Sequence, residues 1–211
     1  MRRLCLCAAV VVSCIAVARP ASAATVGFDC ITNSLASDCA IGAAQLHLAI
    51  TDEAPGQVRF TFSNSGPAQS VISEIYFDDG SLLGIASIVN GTGVAFQQDA
   101  NPPNLPGGNN ASPPFEVTAG FLAEATPSPA MNGVGPNEFV AIIFNLQGGA
   151  SLSDVLTQFS DGTVRAGIHV ISFASGGSES FVNHPLPEPA PLLLLLAGLG
   201  GVTLSRFHRA L

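Results

Sequence analysis

The chain contains no lysine, no tryptophan and a single tyrosine, Tyr76. All seven basic residues are arginine. Arg2, Arg3 and Arg19 lie near the start, and Arg206 and Arg209 near the finish. Between the ends, only Arg59 and Arg165 stand against more than a dozen carboxylates. Nucleic-acid binding neutralises phosphates with lysine and arginine, so this composition excludes it. The same acidic balance favours solubility and attracts divalent cations.

Patterns that carry chemistry are equally scarce. The histidines are His47, His169, His184 and His208, with no H-x-H or H-x-x-x-H spacing for zinc. His47 and His169 sit inside strand-like runs and read as outward-facing strand residues. The G-x-S-x-G nucleophile turn is absent. Gly176-Gly177-Ser178-Glu179-Ser180 leads into Phe181-Val182-Asn183 rather than a helix, and reads as a bend before a last short strand. Asp78-Asp79-Gly80 and Asp52-Glu53 offer oxygen ligands of the kind Ca2+ takes, but neither matches D-x-[DN]-x-[DN]-G, and Asp-Gly is a common turn by itself. The sequence therefore assigns no catalytic residue, no metal ligand and no cofactor. A hydrolase would need Asp78, Asp79 and Glu179 to converge in a cleft.

What is present begins with alternation. Leu46, Leu48 and Ile50 share one face of a strand. Val58, Phe60 and Phe62 point inward, with Arg59, Thr61 and Ser63 outward. Asp52-Glu53-Ala54-Pro55-Gly56 punctuates these two runs as a β-hairpin. Further strands are predicted over 71–77, 84–89, 94–97, 115–122, 139–146 and 163–173, separated by turn residues such as Asn64-Ser65-Gly66-Pro67 and Asp161-Gly162. Ser153 to Phe159 carries helical spacing after a serine cap, which predicts one short helix. Gln98 to Pro114 and Thr126 to Pro136 are too rich in proline, glycine and asparagine for strands and read as solvated surface loops. The sum is an all-β chain: an antiparallel two-sheet sandwich, jelly-roll or Ig-like, with one short helix.

Both ends read as addresses. Arg2-Arg3, the apolar stretch Leu4 to Ala18, the break at Arg19-Pro20 and the Ala21-Ser22-Ala23 pattern make residues 1–23 a secretory signal peptide. The apolar run is 15 residues against the ~20 of a spanning helix. Val11-Val12-Ser13-Cys14 offers a lipobox alternative, which would leave a very short apolar region and bypass the better cleavage site. Removing the signal takes Cys5, Cys7 and Cys14 with it and leaves Cys30 and Cys39. An even pair in an exported chain favours a disulfide over a metal or redox dithiol, since no C-x-x-C and no histidine lie in the loop between them.

The other end runs Pro187-Glu188-Pro189, an apolar span from Ala190 to Leu204, then Arg206 and Arg209. In this order the three parts resemble the PEP-CTERM sorting signal of Gram-negative bacterial proteins. That resemblance implies export through the Sec translocon and signal peptidase, and transient retention in the inner membrane through a C-terminal hydrophobic helix. It further implies cleavage near Pro187, Glu188 and Pro189 by an exosortase, and release to the cell surface or exopolysaccharide matrix. Arg206 and Arg209 would stay cytoplasmic under the positive-inside rule. The alternatives for the span are an ordinary C-terminal anchor or a hydrophobic terminal strand. The body resembles other exported proteins with this tag around Phe28-Asp29-Cys30, Tyr76-Phe77-Asp78-Asp79-Gly80, the 102–110 segment and Gly176 to Phe181, a likeness that implies location and processing but no activity.

The expected organisation is thus a signal peptide at 1–23, a β-sandwich at 24–183, a linker at 184–189 and a sorting tail at 190–211. The expected role is non-enzymatic, structural or adhesive, at the cell surface or in the matrix, with exopolysaccharide as the candidate contact. The rival is a carbohydrate-binding module, with or without Ca2+. The missing tryptophan weakens it, because lectin-like sites commonly stack an aromatic face on the sugar.

Overall fold

A computed structural model describes residues 23–78, 82–98, 100, 102–118 and 122–184. Eleven strands appear among the described residues. They are β1 (Ala23–Val26), β2 (Phe28–Cys30), β3 (Leu46–Asp52), β4 (Gln57–Asn64), β5 (Val71–Asp78) and β6 (Leu83–Asn90), then β7 (Phe96–Gln98), β8 (Leu122–Ala125), β9 (Glu138–Leu146), β10 (Arg165–Ile171) and β11 (Glu179–Asn183). The helices are α1 (Ala36–Gln45), α2 (Pro129–Asn132) and α3 (Leu152–Asp161).

The strands form two antiparallel sheets, ordered β1-β3-β4-β9-β6 and β2-β11-β10-β5-β8-β7. Strand alternation supplies the core between them. Leu48, Ile50, Phe60 and Phe62 from the first sheet meet Ile75, Phe77, Ile168 and Phe181 from the second. Phe60 is the hub, with its ring 5.5 Å from Phe77, 5.4 Å from Phe144 and 5.6 Å from Phe159. These contacts join both sheets to α3, and edge-to-face pairs of this kind add to simple area burial.

The β3–β4 hairpin forms as its alternation predicts, with Ile50 opposite Phe60 and Leu48 opposite Phe62. The helix predicted from Ser153 to Phe159 is α3, one residue longer at its start and two at its end. Ser151 caps it, accepting from the Asp154 amide while the Asp154 carboxylate takes the Ser151 amide at 2.8 Å. This reciprocal box satisfies donors that a helix start leaves open.

Four expectations need correction. The chain has more than one helix: α1 and α2 were not legible. α1 has no side-chain cap and no strong apolar stripe; its alanines favour the helix, and packing on β11 fixes it. A Cβ at Gly42 would lie 2.2 Å from the Phe181 ring, so that close approach requires glycine. Next, residues 115–118 are irregular, and β8 begins only at Leu122. Phe115 packs on a sheet face instead of joining a ladder. Third, the Gln98 to Pro114 segment is no solvated excursion. Its Ala100 and Leu105 are buried in a second apolar cluster with Tyr76, Phe115 and Val182 on the outer side of the second sheet. Lastly, the Thr126 to Pro136 segment contains α2 and delivers the fully buried Val134 to the main core.

That outer cover explains why β5 is buried along both faces from Val71 to Phe77. A bulge reinforces the pattern, since Glu74 opposes His169 while Ile72 opposes Val170, leaving Ser73 as the extra residue. The Ser73 hydroxyl donates to the His169 carbonyl at 3.1 Å.

Candidate functional site

Cys30 and Cys39 are bonded, with their Cα atoms 5.4 Å apart, as the sequence predicts. Their sulfurs and the Glu179 carboxylate lie within 4.8 Å of one another. Sulfurs bonded to each other offer no thiolate, so this grouping is a structural clasp and not a metal centre. Glu179 is 1% exposed. It accepts hydrogen bonds from the Thr32 hydroxyl, from the Ser34 amide at 3.0 Å and from the Leu35 amide at 2.6 Å. Burial pushes its pKa up, but the Thr32, Ser34 and Leu35 bonds outweigh this and hold the carboxyl below its ordinary range. Asp38, 2% exposed in the first turn of α1, accepts from the Ser175 hydroxyl in the connection between β10 and β11.

The remaining sequence candidates are dispersed. Asp78 pairs with Arg165, and Glu53 pairs with Arg59 at 2.6 Å at the hairpin tip. Asp78 lies opposite Arg165 and Glu179 opposite Val170, so they occupy opposite ends of β10, roughly 17 Å apart at strand spacing. Asp78 and Glu179 therefore do not converge in one cleft. Asp79 lies outside the described residues, as do Pro187, Glu188 and Pro189, the apolar span and residues 1–22. His47 is half-buried on the outer face of the first sheet, and His184 contacts Asp29 at 2.9 Å.

Sequence reading missed the outer face of the second sheet, where polar side chains and a packed loop come together. Cross-strand register sets Ser180, His169, Glu74, Glu124 and Gln97 in one row over five neighbouring strands. Residues directly opposite share a face, so this row is a physical contact line. His169 Nδ1 lies 3.1 Å from the Ser180 hydroxyl. Burial lowers the His169 pKa, with the Glu179 charge pulling the other way. Burial raises Glu74, the Tyr76 hydroxyl bond opposes that shift, and Glu124 adds to it. The Tyr76 hydroxyl donates to Glu74 at 3.2 Å and also lies 3.0 Å from the Pro102 carbonyl. Burial and the Glu74 charge push this phenol far above its usual value.

Beside that row, Arg165 clamps the 102–118 segment. Its guanidinium bonds the Pro113 and Pro114 carbonyls at 2.7 Å each, pairs with Asp78 and stacks 5.3 Å over the Phe115 ring. A Cβ at Gly167 would lie 2.7 Å from Leu105 and 3.0 Å from Phe115, so a bare backbone under the loop is what lets it seat. The single signal in the sequence was Gly167 in the middle of a strand, a mark of close approach.

Comparison with family models, with curated proteins and with solved structures finds no match to this chain. Among the described residues, no helix is long and apolar enough to cross a membrane.

Proposed function

We propose that this chain is an exported protein, sorted by its C-terminal tail, cleaved near Pro187-Glu188-Pro189 by an exosortase and released to the cell surface or extracellular matrix. There the 24–183 body serves a non-enzymatic structural or adhesive role. The observation that carries this reading is the order of the tail: a proline-flanked glutamate, the apolar span Ala190 to Leu204, then Arg206 and Arg209. Each part has a task. The prolines keep Glu188 extended and accessible, the 190–204 segment acts as a transient hydrophobic helix, and the arginines hold the cytoplasmic side.

Three features of the body support the proposal. The described strands of both sheets run from Ala23 to Asn183, close to the bounds of the proposed body. The Cys30–Cys39 bond suits an oxidising compartment. The pairing also suits a jelly roll, because β4 and β9 are neighbours in one sheet and the strands that follow them, β5 and β10, are neighbours in the other. A body of this kind is packed between two sheets and stapled by one disulfide.

Mass spectrometry of protein recovered outside the cell tests the proposal. The expected product begins near Ala24 and ends near Pro189. An intact C-terminus beyond Leu204 in that material would sink the processing claim.

A further inference from the structure

The 102–118 segment does more than cover the second sheet. Its inward side is fixed by Leu105 and Phe115, at 4% and 6% exposure, and by the Tyr76 and Arg165 bonds to its proline carbonyls. Its outward side holds a cleft of about 350 Å³, with exposed Asn104, Asn109 and Glu116 around Leu105, Phe115 and Val117. We propose that this cleft is a binding site for a neutral saccharide, taking one or two sugar rings of a larger glycan.

The chemistry of the lining selects that class. A side-chain amide offers both donors and acceptors, and a carboxylate offers acceptors alone. Two amides and one carboxylate therefore complement neighbouring sugar hydroxyls, each of which both donates and accepts. Leu105 and Phe115 are turned to the sheet and only their edges, with half-buried Val117, reach the cleft, so its wall is mostly polar and recognition rests on hydrogen bonds to hydroxyls instead of ring stacking. Among the described residues no cation lines the cleft, and the nearby Arg165 is committed to Asp78 and the loop carbonyls. Exposed Glu116 repels anions, so uronates, sulfated sugars and phosphates should bind more weakly than neutral sugars. Cleft volume fits the lower range of small-ligand sites. Backbone bonds from Gly108 to the Leu105 carbonyl at 2.9 Å and from Phe115 to the Gly108 carbonyl at 3.0 Å hold the segment in shape before a ligand arrives. Such preorganisation lowers the ordering cost of binding.

The test is a glycan array probed with the purified protein, followed by calorimetry with the best neutral oligosaccharide of glucose, galactose or N-acetylglucosamine. Asn104→Ala, Asn109→Ala and Glu116→Ala change exposed side chains, and unchanged melting curves would verify that each variant is folded. Each is expected to weaken binding about tenfold, the effect of losing one hydrogen bond. Thr61→Ala, on the outer face of the other sheet, is expected to leave affinity unchanged. Binding is also expected to survive a chelator, because the contacts are side chains alone. An array on which no neutral glycan binds would overturn the proposal. So would affinity unchanged in all three cleft variants, preference for uronates, or binding abolished by the chelator.

Discussion

The Glu179 carboxylate, at the start of β11, holds the backbone amide of Leu35 at 2.6 Å, just ahead of α1. With the Ser34 and Thr32 bonds, it takes up the donors of a loop that the disulfide closes from the other side. Glu179→Ala would leave those donors facing a buried gap. A buried charged acceptor of this kind is worth about 3 kcal/mol when removed alone. Chemical denaturation should show a loss of that order, with Glu179→Gln intermediate because it keeps one acceptor oxygen. A loss below about 1 kcal/mol in the alanine variant would show that water replaces the carboxylate.

Acid should weaken the fold in two stages. Burial depresses His169, so the unfolded chain takes up its proton more readily than the folded one. Stability therefore falls as pH drops below the ordinary histidine value, about 6.5. The folded pKa of Glu179 is also lowered, so its contribution is fully present above the ordinary glutamate value, about 4.3, and is lost as pH falls through the folded value. Melting temperature against pH is the measurement. His169→Gln should flatten the stage between pH 7 and 5, and Glu179→Gln the stage below. An unaltered profile in His169→Gln would remove the histidine from this account.

Reducing the Cys30–Cys39 bond, or replacing both cysteines with serine, should cost about 2.5 kcal/mol in the chain-entropy model for so short a loop. Glu179 restrains the same segment from the sheet side. The two losses should thus fail to add, because once one restraint is gone the other holds a looser loop. A double-mutant cycle measures the coupling. Strict additivity would mean that the two restraints act on separate units.

What was legible in the sequence follows from local rules. Alternation in Leu46 to Ile50 and Val58 to Ser63 identified β3 and β4, because one face of each is solvated and the other apolar. Serine capping and helical spacing located α3. The disulfide followed from counting cysteines once the signal was set aside. The misses share a physical cause: each depends on contacts distant in sequence. α1 lacks its own cap, and its preceding loop is held by a glutamate more than a hundred residues away. Phe115 looked like a strand residue because it is apolar, but its partners are Gly167 and Tyr76 on a sheet face. Proline and glycine in the 102–118 segment signalled irregular backbone correctly while hiding that it is packed.

Glu74 shows the opposite balance to Glu179. Burial and the Glu124 charge raise its pKa, so the folded state is penalised as pH rises above the ordinary glutamate value. At neutral pH that penalty is in force. Glu74→Gln keeps an acceptor for the Tyr76 hydroxyl and removes the like-charge pair across β5 and β8. The variant should be more stable at pH 7 by about 0.5 kcal/mol, the scale of a cross-strand charge pair. The gain should vanish below pH 4, where the carboxyl is protonated anyway. Paired thermal melts at the two pH values check this, and a loss at pH 7 would mean that the charge itself is needed by the row it sits in.

Gly167→Ala tests whether the outer loop and the sheet form one packed unit. The new methyl group would meet Leu105 at 2.7 Å and the Phe115 ring at 3.0 Å, both closer than ordinary contact. Leu105 can rotate, but Phe115 is held from its other side by the Arg165 guanidinium and the carbonyls that arginine binds. The strain should therefore lift the 102–118 segment instead of bending β10, whose ladder is tied to β5 and β11 on both sides. Overpacking of this size costs about 1–3 kcal/mol, part of which local loop release would offset. Limited proteolysis should show faster cleavage between Pro102 and Pro114, ahead of any change in the sheets. Saccharide affinity, if the cleft binds as proposed, should fall together with that protection while Asn104, Asn109 and Glu116 all remain in place. Cleavage rates equal to the parent protein would mean that the loop rides on the sheet loosely, and that Leu105 and Phe115 do not fix the shape of the cleft.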